Sequence, residues 1–321
     1  MAAESDNPVS LGGNLWQIAS ADERLSELLV QKYNLPFLMA KIMVLRGIGP
    51  DETAAFLSPK INVLMPDPFV LKDMEKAALR IAEAIQNKQH IAIIGDYDVD
   101  GATSTSVMKL FLRSAGVEPD VHIPDRDEGY GPSRQAVDDF KAKGAELLIT
   151  LDCGTTAFDP LEYAVSLGMD VIVLDHHEAE VKLPQIYALV NPKRLDDLND
   201  YPYLKYMAAV GVVFMTVVAV NRALRQRGFY TEKNPEPDLK KWLDLVALGT
   251  VCDVVPLKGL NRAYVAQGLK IMAGRTNIGL TTLIDKANLT EAPTAFHLGY
   301  VLGPRINACG RVGDASMGNQ L

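Results

Sequence analysis

Between residues 90 and 174, short apolar runs alternate with helix-patterned segments, and this alternation constrains the fold more than any other feature of the chain. The runs are residues 90–94 (closed by Gly95), 120–123, 147–151 and 171–174. Each has strand length, while residues 102–115, 134–143 and 160–167 between them carry helical spacing. Strand–helix alternation with short connections predicts an α/β fold, a parallel sheet covered by helices on both faces. In such sheets ligands bind beyond the carboxyl ends of the strands, so the residues that follow each run are the first candidates for function.

The rest of the chain is patterned differently. Residues 1–20 are polar and read as a loose lead-in, residues 22–57 are helical, and Pro59 with the stretch to Pro68 interrupts them. Residues 74–86 form an amphipathic helix. Beyond the alternating region, residues 207–227, 238–252 and 259–273 are helical, with a polar, proline-containing stretch at 230–238. The expected organisation is an N-terminal extension with helices (1–75), an α/β catalytic domain (76–206) and a mainly helical subdomain (207–321). The strongest apolar run, residues 207–220, is short for a membrane span and reads as a buried helix, so no membrane partner is expected. The N-terminus carries no basic segment leading into an apolar one, which argues against a secretory signal. Cysteines 153, 252 and 309 form neither a zinc pattern nor a disulfide framework, which favours a reducing, cytoplasmic setting. A net charge of −8 weighs against a protein that coats nucleic acid through a broad basic surface. It leaves a nuclease open, since clustered metal-binding carboxylates contribute to that charge.

Acidic clusters follow the strand runs. Asp96, Asp98 and Asp100 alternate directly after the first, with Gly95 and Gly101 around them and a helix start expected at Ala102 to Ser104. Crowded carboxylates repel one another, and hard divalent cations relieve that repulsion. The helix N-terminus offers N–H groups to an anion, which makes Ser104 a candidate substrate contact. Read alone, the cluster equally suits a solvated acidic turn with helix-capping aspartates. Asp152 follows the third run, where it also suits a helix cap. Asp175-His176-His177 follows the fourth, joining imidazoles to carboxylates at a strand end. Asp253 sits in the apolar segment 246–256, where a buried carboxylate needs a partner, either a metal or a nearby Arg or Lys. Four such clusters together point to a two-metal hydrolase of phosphoester bonds.

This order of motifs resembles the DHH phosphoesterase superfamily, and within it the RecJ-type single-stranded-DNA exonucleases. The resemblance runs from about residue 40 to the end. It rests on Gly95 to Ser104, Glu128-Gly129-Tyr130-Gly131, the segment from Asp244 to Leu257, and Gly303-Pro304-Arg305-Ile306-Asn307-Ala308-Cys309-Gly310-Arg311. It implies two divalent ions, Mn²⁺ or Mg²⁺, held by Asp96, Asp98, Asp100, Asp152, His176 and Asp253, with Asp152 bridging. Asp175 is expected to orient the histidines and His177 to face the scissile phosphate, so Asp152, Asp175 and His177 are the catalytic candidates. Arg126, Tyr130, Arg305, Asn307 and Arg311 join Ser104 as candidate substrate contacts, Tyr130 by stacking on a base or else by packing alone. The implied activity is 5′-to-3′ digestion of single-stranded DNA in repair and recombination by a monomer, with a single-strand-binding protein and a helicase as partners. The family continues into a Gly-Gly-His domain and an OB-fold. Neither is found here, so a C-terminally shortened chain with weak strand affinity is expected. Two alternatives stand beside this reading: a phosphoesterase for short oligonucleotides or small phosphate substrates, and an inactive DHH scaffold in a replication complex.

Overall fold

The computed structural model describes residues 10–17, 19–125, 129–312 and 318. The chain divides into two compact units, Met1–Pro59 and Lys60–Leu321. In the first, the helical pattern of residues 22–57 resolves into α1 (Glu23–Tyr33), α2 (Phe37–Leu45) and α3 (Thr53–Leu57). Asp22 caps α1 by accepting from the Leu25 N–H, and Asn34 ends it in the left-handed region. Pro36 then starts α2, because proline lacks the N–H that a first turn leaves unpaired. Leu29, Ala40, Met43 and Ile48 form a small core between these helices.

The second unit opens with α4 (Ile61–Leu64) and α5 (Met74–Gln86), and then alternates. Its order is β1 (Ile91–Gly95), α6 (Val99–Ser114), β2 (Asp120–His122), α7 (Arg134–Ala142), β3 (Leu147–Leu151), α8 (Phe158–Ser166), β4 (Asp170–Leu174) and β5 (Ala188–Val190). The five strands form one parallel sheet in the order β2-β1-β3-β4-β5. Successive strand residues point to opposite faces. Ile91, Ile93, Leu147, Ile149, Leu151, Ile172 and Leu174 therefore enter one core with α5, α6 and α9, while Ala92, Ile94, Leu148, Val171 and Val173 enter another with α7 and α8. Burial on both faces is why these strands read as unbroken apolar runs.

The helical part follows: α9 (Ala209–Gln226), α10 (Leu243–Cys252), α11 (Gly259–Ala273), α12 (Ile278–Lys286), α13 (Ala295–His297), a π-helical turn at Leu298–Leu302, and α14 (Gly303–Val312). At 18 residues α9 is long and apolar enough to cross a membrane, so the sequence expectation that no stretch reaches that length is corrected. With 78% of it buried inside the protein, α9 packs as a core helix between the sheet and α5 and α6.

Two further sequence expectations are corrected. The helix after β1 starts at Val99, not Ala102, because the Asp98 side chain accepts from the Gly101 N–H and caps the chain one turn earlier. The strand β5 was not anticipated, since three residues carry too little pattern to stand out.

Candidate metal centre

The carboxyl edge of the sheet gathers the predicted residues. Asp96 and Asp98 follow β1, Asp152 follows β3, and Asp175, His176 and His177 follow β4. Asp100 lies in the first turn of α6, and Asp253 caps the C-terminus of α10. Three sets place one ligand atom per residue within 4.8 Å of one another: Asp96 with Asp98 and Asp152, Asp100 with His176 and Asp253, and Asp152 with His176 and His177. Asp152 and His176 are shared between sets, so these are adjoining parts of one centre.

Local backbone geometry sets these atoms in place. Asp152 has φ 61°, a left-handed conformation that Asp tolerates better than most side chains, and this turns its carboxylate across the strand ends. A Cβ on Gly101 would overlap the Asp96 carbonyl oxygen and sit 2.6 Å from its carbonyl carbon, so only glycine lets α6 approach the end of β1 this closely. Gly101→Ala is expected to lose about 1–3 kcal/mol of stability in urea titration and to weaken any stabilisation by Mn²⁺. An unchanged midpoint and an unchanged Mn²⁺ response would contradict this close fit.

The electrostatics suit cations. Asp96, Asp100 and Asp152 are buried, and Oδ1 of Asp96, Oδ1 of Asp152 and Oδ2 of Asp253 are buried atoms without hydrogen-bond partners among the described residues. Burial, then the neighbouring Asp98 charge, pushes Asp96 up to about 6, and burial followed by Asp98 does the same to Asp253. Asp100 and Asp152 are raised well above the ordinary carboxylate range, by burial first and then by Asp253 and by Asp100 respectively. Two oxygens of Asp100 also accept from the α9 backbone, from Ala209 N at 2.6 Å and Val210 N at 2.9 Å.

The two histidines are prepared differently. Nδ1 of His176 lies 3.0 Å from the Met207 carbonyl and donates to it, which leaves Nε2 as the lone-pair atom, 3.3 Å from Asp152 Oδ1. Burial, reinforced by His177, lowers its pKa to about 4, so His176 is the neutral imidazole that a metal needs. His177 donates from Nδ1 to Asp175 Oδ1 at 2.8 Å, and that bond raises its pKa despite partial burial. Asp175 is held as a carboxylate. Burial works to raise its pKa, yet the His177 bond and charge and the Thr155 bonds hold it well below the usual range. Its Oδ1 also accepts from His176 N, and its Oδ2 accepts from Thr155 N and Oγ1.

The substrate candidates divide. Tyr130 reaches the centre through its hydroxyl, which donates to the Asp152 carbonyl at 2.9 Å and lies 3.2 Å from His177 Nδ1; its ring meets His177 edge-on. Ser104 is fully buried in the second turn of α6, and its Oγ has no hydrogen-bond partner among the described residues. The early helix start moves the free N–H groups upstream of it, so the expectation that Ser104 contacts substrate is corrected. Arg305 is exposed on α14 and donates to the Val301 carbonyl, while Asn307 is half-buried. Arg126 lies outside the described residues, and so does the side chain of Arg311.

Sequence reasoning missed Thr155 and Asn191. Asn191 follows β5 and donates from Nδ2 to Thr155 Oγ1 at 2.9 Å and to the His177 carbonyl at 2.8 Å, tying the histidine segment to Asp175. The signal was present, since Asn191-Pro192 closes a short apolar run as the other clusters do.

Residues 90–250 match the DHH family, N-terminal domain. The chain belongs to the DHH family. Within it, the chain is 40% identical over 292 residues to the single-stranded-DNA-specific exonuclease RecJ of Escherichia coli (strain K12), covering 89% of this chain and 49% of that protein. It is 38% identical to the Bacillus subtilis (strain 168) RecJ, covering 94% of this chain and 36% of that one. This DHH chain therefore spans half or less of the length of these relatives. Among solved structures, RecJ in complex with Mn²⁺ from Thermus thermophilus matches with a TM-score of 0.75 at 28% identity, over 92% of this chain and 40% of that chain. An exonuclease RecJ bound to manganese matches with a TM-score of 0.67 at 32% identity, over 80% of this chain and 61% of that chain.

Proposed function

We propose that this DHH chain is the metal-dependent core of a single-stranded-DNA exonuclease of RecJ type, cutting phosphodiester bonds in the 5′-to-3′ direction. The observation that carries the reading is the set of buried carboxylate oxygens without partners gathered around a neutral imidazole. Such a site is unfavourable alone and becomes favourable around divalent cations. Similarity to relatives named as single-stranded-DNA exonucleases selects the substrate.

Asp96, Asp98 and Asp152 would hold one ion, and Asp100, His176 and Asp253 the other, with Asp152 close enough to His176 to serve both. Two divalent ions held there would supply a water of lowered pKa and offset charge on the phosphate. The chain's own groups do the rest. Asp175 accepts from His177 Nδ1–H and favours the imidazolium form of that ring, in which Nε2–H can donate to a phosphate oxygen from a half-exposed position. The Tyr130 hydroxyl, anchored on the Asp152 carbonyl, keeps that ring from swinging away. Arg305 and Asn307 on α14, together with Arg126 and Arg311, are the proposed contacts to the strand. A single-strand-binding protein and a helicase are the proposed recruiting partners.

The test is direct. Incubated with Mn²⁺, the chain is expected to release mononucleotides from the 5′ end of single-stranded DNA, to spare blunt duplex, and to stop on addition of a chelator. Failure to hydrolyse any phosphodiester in Mn²⁺ or Mg²⁺ would sink the proposal, whereas cleavage of dinucleotides alone would move the substrate to short oligonucleotides.

A further inference from the structure

Phe296 and Tyr300 are an unusual pair for an ordinary surface. They are 62% and 74% exposed, and their rings stack at 5.0 Å between centroids with 28° between planes. Large aromatic side chains contribute most when covered, so two stacked rings left in water are a surface awaiting a flat partner. Their backbone is a departure from ordinary helix. Tyr300 lies in the π-helical turn Leu298–Leu302, whose Leu298 and Leu302 point into the core while Phe296 and Tyr300 face out. Turns of this kind are less stable than α-helix and recur at functional sites.

The turn also sits beside the candidate metal centre. Cys252 Sγ lies 3.4 Å from the Leu298 carbonyl, and a Cβ on Gly303 would come within 2.5 Å of that sulfur. Cys252 directly precedes Asp253, so the turn is packed against the residue adjoining a proposed ligand.

Resting on the exonuclease reading above, we propose that Phe296 and Tyr300 form a ledge on which nucleobases of the single strand stack as its backbone passes the metal centre. The occupant follows from position. The turn packs on Cys252, next to the proposed ligand Asp253, so a strand whose phosphate reaches the centre carries its bases alongside the rings. Stacking on aromatic rings holds single strands without reading their sequence, as an exonuclease requires.

The experiment measures binding of a nuclease-resistant phosphorothioate oligothymidylate, by fluorescence anisotropy in Mn²⁺ buffer, beside an abasic strand of equal charge. Base–aromatic stacking is worth about 1–3 kcal/mol per base, so Phe296→Ala/Tyr300→Ala is expected to weaken the base-bearing strand by on the order of tenfold or more. Binding of the abasic strand and Mn²⁺-dependent hydrolysis of bis-p-nitrophenyl phosphate are expected to stay unchanged. Tyr300→Trp is expected to retain affinity and to show indole quenching by the thymidylate but not by the abasic strand. Equal affinity of the double variant and the parent for thymidylate would overturn the ledge and leave the metal centre standing. A double variant that keeps thymidylate affinity but changes self-association would overturn the ledge and assign the rings to contact between copies of the chain. Failure of the unaltered chain to hydrolyse both single-stranded DNA and bis-p-nitrophenyl phosphate in Mn²⁺ would overturn the exonuclease reading, while the thymidylate comparison would still decide the ledge.

Discussion

Asp152→Asn is expected to remove Mn²⁺-dependent phosphodiester hydrolysis, with a fall larger than the roughly 100-fold that follows loss of a group supporting a metal's ligands. Asn is close in shape and tolerates the left-handed conformation that Asp152 adopts at φ 61°, so the turn after β3 is retained. What is lost is the charge on the one carboxylate that belongs both to the Asp96–Asp98 set and to the histidine set. The same change takes a buried negative charge away from Asp100, Asp98 and Asp175, all of which raise the Asp152 pKa after burial does. The metal-free variant is therefore expected to be at least as stable as the metal-free parent near neutral pH, while losing the parent's stabilisation by Mn²⁺. Initial rates on single-stranded DNA and melting with and without Mn²⁺ check both halves. A variant that keeps its rate would remove Asp152 from the centre, and one that unfolds without metal would show that its role is structural.

The second large effect is in pH. Asp96 and Asp253 titrate near about 6 in the folded chain against 3.8 when unfolded, and Asp100 and Asp152 lie well above 3.8. Below about 3.8 these groups are protonated in both states and cost nothing. As pH rises from there through about 6, the unfolded chain ionises first, so the metal-free protein loses stability. His177, raised in the folded state, adds to the loss at higher pH, whereas His176, lowered to about 4, opposes it with a single proton. Four carboxylates outweigh one imidazole. Buried Asp244, pushed up to about 6 outside the centre, adds a slope that metal does not relieve. Urea unfolding in chelator is expected to show lower stability at about pH 7 than at about pH 5. Mn²⁺ at roughly 100 times its Kd is expected to restore about 2.7 kcal/mol per site at the higher pH, and much less at the lower, where protons compete. A metal-free profile that rises between those pH values, with no response to Mn²⁺, would rule out the crowded-carboxylate account.

Much of this architecture was legible in the sequence, for identifiable reasons. Strands buried on both faces announce themselves as apolar runs, and β1, β3 and β4 did so to within a residue. Candidate ligands at strand ends were legible because sheet topology favours function there, and Asp96, Asp98, Asp152 and His176 do lie close together at that edge. The Asp98 cap is local, reaching only to Gly101, and helix-capping aspartates were one reading of that cluster, so the helix start was simply set too late at Ala102. What stayed hidden depends on contacts distant in sequence, as the burial of Ser104 does. Likewise β5 is defined by its pairing with β4, and Asn191 matters only because that pairing sets it beside Thr155 and the His177 carbonyl. The Phe296–Tyr300 pair was silent for the same reason, since neither residue signals exposure by its own type.

Asp100 holds the first two backbone N–H groups of α9, the buried helix around which much of the second unit packs. Its loss would leave the start of that helix uncapped as well as thinning the metal centre. The members of the centre are therefore unequal in what they hold. Asp96 accepts only from the neighbouring Tyr97 N–H and Asp253 leaves Oδ2 without a partner among the described residues, so neither holds the start of a helix as Asp100 does. An aspartate at this position therefore does not by itself report a bound metal, because seating α9 calls for it with or without one.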